Sequence, residues 1–177
     1  MVKPVAALAA VLVLTSLAAG SSSAEPRAAC LAARVNYTPY GGSGQGLDRI
    51  AWVGGTPGRY RLRGLLWYWP PKWREQHVER VRIYLHGKAP QGWTTKILWA
   101  FLGEPAKARA GGELVVRGRR LDGRGSFTQR FGAIGYAGQD GAPSYASIID
   151  VPKPGCWQLR LTTGQVRSTV VFRAVRR

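Results

Sequence analysis

The chain has 177 residues, with 26 Lys and Arg against nine Asp and Glu, a formal charge of +17, two Cys, two His, 23 Gly and 11 Pro. So few histidines, cysteines and carboxylates leave little material for acid–base, thiol or metal chemistry, and so much Gly and Pro argues against long helices. The charge favours acidic partners, although a GC-rich genome yields an arginine excess with no ligand in play.

Residues 1–24 read as a cleaved secretory signal. Lys3 supplies the positive start, Val5 to Ala19 is almost wholly apolar, and Ser22-Ser23-Ala24 is a small-residue cleavage site. An apolar run of about fifteen residues falls short of the roughly 20 that cross a bilayer as a helix, and no second run follows. No transmembrane anchor is expected in the mature chain. A lipid-attachment signal is also excluded, because Arg27-Ala28-Ala29 precedes Cys30. Export predicts an extracytoplasmic location, in a periplasm or at the cell surface, where Cys30 and Cys156 pair as a disulfide. In the chain-entropy model a bridge over so long a loop contributes up to roughly 4–5 kcal/mol. Residues 25–177 then form a single domain.

Ala29 to Tyr37 suits a first strand, and Gly41 to Gly46 is a glycine loop. Short apolar or alternating runs follow at Arg49–Val53, Tyr60–Trp69, Val78–His86, Thr95–Leu102, Glu113–Arg119, Ser144–Val151, Cys156–Thr162 and Arg167–Val175, split by Gly, Pro and Asp-Gly turns. Several alternate with period two: Val81, Ile83 and Leu85 oppose Arg80, Arg82 and His86. Trp157, Leu159 and Leu161 oppose Gln158, Arg160 and Thr162, and Val170, Phe172 and Ala174 oppose Arg167, Thr169 and Arg173. About eight or nine such strands predict an all-β sandwich or barrel. Lys96 to Phe101 also suits a short helix.

The closing run, from Pro143-Ser144 through Ile148-Ile149-Asp150-Val151-Pro152 and Pro154-Gly155-Cys156-Trp157-Gln158-Leu159-Arg160-Leu161 to Val170-Val171-Phe172, resembles the last strands of immunoglobulin-like sandwiches in secreted bacterial proteins. Trp157 stands where those proteins carry an aromatic after a turn glycine. Lys96-Ile97-Leu98-Trp99 and Glu113 to Gly123 extend a likeness to uncharacterised exported bacterial proteins with the Gly-Cys-Trp ending, over roughly residues 94 to 175. The resemblance implies one immunoglobulin-like β-sandwich with a final hairpin, and brings no activity or catalytic residues.

Two features stand above background. Trp67, Trp69 and Trp73 cluster around Tyr68 and Pro70-Pro71, and alternation predicts Trp67 and Trp69 on one face, Tyr68 on the other. These rings either fill the core or offer flat apolar surfaces to a sugar, an acyl chain or a partner. The second is a set of arginine rows: Arg59, Arg61 and Arg63, then Arg80 with Arg82, then Arg117 with Arg119. In one sheet they would make a positive patch for carboxylates or phosphates; they equally suit the solvated face of a sandwich.

Catalytic sets are weak. His77 and His86, nine apart, fall on opposite faces of a straight strand. Ser126 or Ser144 with His86 and Asp150 lacks a Gly-x-Ser-x-Gly elbow, Glu104 with Glu113 is only a formal carboxylate pair, and Asp122 and Asp140 precede Gly as turn residues do. No catalytic set, metal or cofactor is expected. The expectation is a nonenzymatic binding module at the cell envelope, acting on an anionic polymer or glycan or on a partner protein. Its alternatives are a carbohydrate-binding module using exposed tryptophans and an envelope hydrolase. Nucleic acid is not an expected partner, because export removes it.

Overall fold

The computed structural model describes residues 30–38, 50–103, 110–136 and 143–176. The signal segment, the glycine loop at 41–46, Glu104 and Asp140 lie outside the described residues. The fold is all-β, in two sheets. The six-stranded sheet has the order β1 (Val35–Asn36), β2 (Trp52–Gly54), β3 (Leu62–Leu66), β5 (Lys96–Phe101), β9 (Pro143–Ile148), β8 (Gly135–Tyr136). The five-stranded sheet runs β4 (Arg82–Tyr84), β11 (Val166–Val175), β10 (Gly155–Thr163), β6 (Glu113–Arg120), β7 (Ser126–Gly132). The one α-helix among the described residues is a single turn, α1 (Lys72–Glu75), and Lys96 to Phe101 is strand.

Alternation decides which side chains meet between the sheets. Trp157, Leu159 and Leu161 on β10 and Val170, Phe172 and Ala174 on β11 are buried, as are Val81 and Ile83 before and on β4. They join Leu62, Leu66, Ile97, Trp99 and Phe101 from the opposite sheet in one core cluster. Each such side chain removed from water contributes about 1.5–3 kcal/mol. Two strand glycines make room for rings: a Cβ on Gly64 would overlap Trp99, and one on Gly118 would overlap Phe127. Buried polar side chains of the core pair with one another. Trp99 Nε1 donates to Ser147 Oγ at 2.9 Å, and the Tyr145 hydroxyl of β9 meets Thr163 Oγ1 of β10 at 2.7 Å, linking the two sheets.

β10 and β11 form the antiparallel hairpin that the C-terminal resemblance implied. Three separate pieces of chain cover the other edge of β11: Thr56 bridges to Thr169, Ala33 N–H donates to Val171 C=O, and β4 runs parallel from Arg173 to Val175. This leaves little of that edge open to pair with another chain. Cys30, just ahead of Ala33, is bonded to Cys156 at the start of β10, with the Cα atoms 5.4 Å apart.

Candidate functional site

Three surface features could hold a ligand. The first is an aromatic cleft of about 690 Å³ at one end of the six-stranded sheet. β3 stops at Leu66, and the Trp69 N–H closes a turn onto the Leu66 carbonyl at 3.0 Å. That early stop overturns the alternation expected through Trp69: Tyr68 and Trp69 are both buried, and Trp67 is 40% exposed. Pro70 and Pro71 then start α1, which carries Trp73 against Trp69, ring centroids 4.5 Å apart and nearly perpendicular. Trp69 Nε1 donates to the Tyr37 hydroxyl at 3.0 Å, and Tyr37 donates on to the Val78 carbonyl at 3.0 Å. Tyr68 donates to the Arg82 carbonyl at 2.7 Å. Burial, and then the neighbouring Tyr84, hold the Tyr68 hydroxyl well above its ordinary pKa. The inner wall is thus fixed by packing and hydrogen bonds. Trp93, 59% exposed, and Pro90 also line the cleft. Sequence reasoning missed Trp93, whose only signal was a large indole beside the turn residues Gln91-Gly92.

The second feature is the outer face of the five-stranded sheet. Arg82 on β4 aligns with Arg173 on β11, Arg167 on β11 with Thr162 on β10, and Arg160 on β10 with Arg117 on β6. Arg119 lies opposite Gln158 and donates to its Oε1 at 3.5 Å. All six of these arginines are exposed, and among the described residues none has a carboxylate within ion-pair reach. Arg130 on β7 differs, since it is paired with Glu113 at 2.6 Å. The expected rows at Arg82 and at Arg117 and Arg119 therefore share a face, completed by Arg160, Arg167 and Arg173 of the strands between them.

The other expected row does not join them. Arg59 lies in a 3-10 turn and Arg61 has φ 44°, so neither shares a strand face with Arg63. Arg63, on β3 of the opposite sheet, stacks its guanidinium 3.8 Å from the Trp52 ring. Its Nε is buried without a partner among the described residues; burial, then the Arg61 charge, lower its pKa. Arg80 precedes β4 and donates to the Ala32 carbonyl at 2.8 Å, tying down the first segment.

The third feature is a cleft of about 680 Å³ lined by Lys88, Arg120, Lys153, Arg176 and His86. Arg120 Nε bonds Asp122 at 2.8 Å. Burial alone would raise the Asp122 carboxyl, but the Arg120 hydrogen bond, the Cys156 N–H and the Arg120 charge hold it below its ordinary value.

Residues named for catalysis are not assembled. His77 and His86 sit in turns with left-handed backbone, φ 50° and 55°, and not on a strand. His86 Nδ1 is 3.7 Å from Asp150 Oδ1 with both side chains more than half exposed, and Ser144 Oγ donates to the Gly135 carbonyl instead. Among the described residues there is no group of three or more potential metal ligands, and no helix is long and apolar enough to cross a membrane. No family model, curated protein or solved structure matches the chain.

Proposed function

We propose that this chain is an exported, nonenzymatic binding module of the cell envelope that docks an anionic polymer on the outer face of its five-stranded sheet. The observation that carries this reading is the field of six exposed arginines, without carboxylate partners among the described residues, spread over β4, β11, β10 and β6. Four neighbouring strands make a basic surface about 14 Å wide. Like charges placed directly opposite across strands destabilise a sheet, so Arg160 beside Arg117 is a cost that a bound polyanion would relieve. Guanidinium forks suit phosphate and carboxylate oxygens alike. Extracytoplasmic location rests on the signal-like N-terminus and accords with the disulfide. The immunoglobulin-like reading rests on the two packed sheets and the closing hairpin.

The test is affinity for poly(glycerol phosphate) as a function of salt. Binding that weakens steadily with salt, with a slope that shallows in Arg117→Gln and Arg160→Gln, supports the proposal. Equal affinity in the variants sinks it.

The aromatic cleft favours a second reading, a carbohydrate-binding module. A cleft of this size, walled by Trp and Pro with a rigid inner side, suits a sugar ring stacked on Trp67 or Trp93. Such binding would be nearly salt-insensitive and lost in Trp67→Ala or Trp93→Ala.

A further inference from the structure

We infer that the basic cleft lined by Lys88, Arg120, Lys153 and Arg176 is a binding site for a phosphate group, separate from the arginine face. Four cations reach it from four elements: Lys88 from the turn after β4, Arg120 from the end of β6, Lys153 from the loop between β9 and β10, and Arg176 from just past β11. None of these positions is near another in sequence, so the fold alone concentrates them.

Three of the four are held by the backbone or by a fixed partner. The Lys88 N–H closes a turn onto the Leu85 carbonyl at 3.2 Å, and the left-handed His86 and Gly87 between them, φ 55° and 64°, mark a tight type I′ geometry. Lys153 lies between Pro152 and Pro154, whose rings fix φ on either side of it. Its carbonyl accepts the Trp157 indole N–H at 2.9 Å. Asp122 is the positioning residue for Arg120: it takes Nε at 2.8 Å, and both Nη groups make no hydrogen bond among the described residues. Gly155 permits this pair, because a Cβ there would stand 2.5 Å from Asp122 Oδ1 and 2.6 Å from Arg120 Nε. Side chains whose anchors are already ordered lose less entropy on binding.

The charge balance selects the ligand. Asp122 is paired with Arg120, whereas Lys88, Lys153 and Arg176 have no carboxylate within ion-pair reach among the described residues. Three such cations exceed what one carboxylate needs and can share the several acceptor oxygens of a phosphate group. A cleft of about 680 Å³ exceeds a bare phosphate, so the group belongs to a larger molecule, a phosphorylated sugar, a phosphodiester polymer or a lipid headgroup.

The experiment is calorimetric titration of the purified protein with inorganic phosphate at low salt, alongside sedimentation with phosphatidylglycerol vesicles. The lysine pair Lys88→Ala with Lys153→Ala is the main variant, since both side chains are exposed and their loss should spare the fold; near-ultraviolet dichroism of the tryptophans checks this. Saturable binding in either arm that weakens about tenfold or more in the lysine pair variant, yet stays nearly unchanged in Arg117→Gln with Arg160→Gln, supports the site. Binding to phosphate in solution identifies a free phosphate source, and binding to vesicles alone identifies a lipid headgroup. No saturable binding in either arm, or equal binding in the lysine pair variant, overturns it. Loss confined to the arginine pair variant also overturns it, while leaving the arginine face intact as a proposal.

Discussion

Arg160 on β10 stands directly opposite Arg117 on β6, both exposed, with no carboxylate beside either among the described residues. Cross-strand neighbours of like charge repel, whereas an opposite-charge pair at such a position contributes about 0.2–1 kcal/mol. Arg160→Glu is therefore expected to raise the midpoint of thermal unfolding slightly while weakening binding to an anionic polymer. Calorimetry on the free protein and a salt-controlled pull-down measure the two effects. A variant that loses stability and binding together would show that Arg160 is a structural residue.

The two halves of the aromatic cleft should behave differently. Trp69 is buried, packed against Trp73 and bonded to Tyr37, so Trp69→Ala should cost about 3–5 kcal/mol in urea unfolding. Trp93→Ala, at an exposed position, should change stability by less than about 0.5 kcal/mol. Comparable losses at both sites would mean that Trp93 is a packing residue in solution.

The bridge between Cys30 and Cys156 closes a sequence separation of 126 residues. The chain-entropy model gives up to about 5 kcal/mol for a loop of that length. Cys30→Ser with Cys156→Ser should lower the denaturant midpoint without changing the strand content seen by circular dichroism. An unchanged midpoint would contradict the pairing as a stabilising element.

Tyr68 sets an alkaline limit. Its folded-state pKa lies well above the ordinary 10.0, because burial disfavours the phenolate. The stability tied to it is complete below about pH 10. It declines as pH rises towards the folded value, since the unfolded chain loses the proton first. Tyr68→Phe should flatten this alkaline decline, at the cost of its bond to the Arg82 carbonyl. An identical alkaline decline in wild type and variant would argue against a sealed hydroxyl.

Much of the fold was legible as alternation, because Trp157, Leu159 and Leu161 and then Val170, Phe172 and Ala174 could only be buried together on one side of a strand. β7 escaped notice: it is an edge strand whose inward side chains, Phe127, Gln129 and Phe131, are only half-buried and broken by a polar residue. Trp67 and Trp69 were misplaced because nothing local says that β3 ends at Leu66, before the prolines. The arginine face was half legible. Period two shows which side of each strand Arg82, Arg117 and Arg119 occupy, but strand order is tertiary, and only it brings Arg173 and Arg160 between them. The basic cleft was invisible for the same reason, since Lys88, Arg120, Lys153 and Arg176 are ordinary charges until four separate segments converge.

The most direct test of the central claim is retention of the protein on isolated cell envelopes at low and high salt, for the wild type and for Arg117→Gln, Arg160→Gln and Arg173→Gln combined. The account predicts wild-type retention at low salt, release at high salt, and little retention of the triple variant at either. Retention that survives high salt, or that the triple variant keeps, would contradict binding through the arginine face.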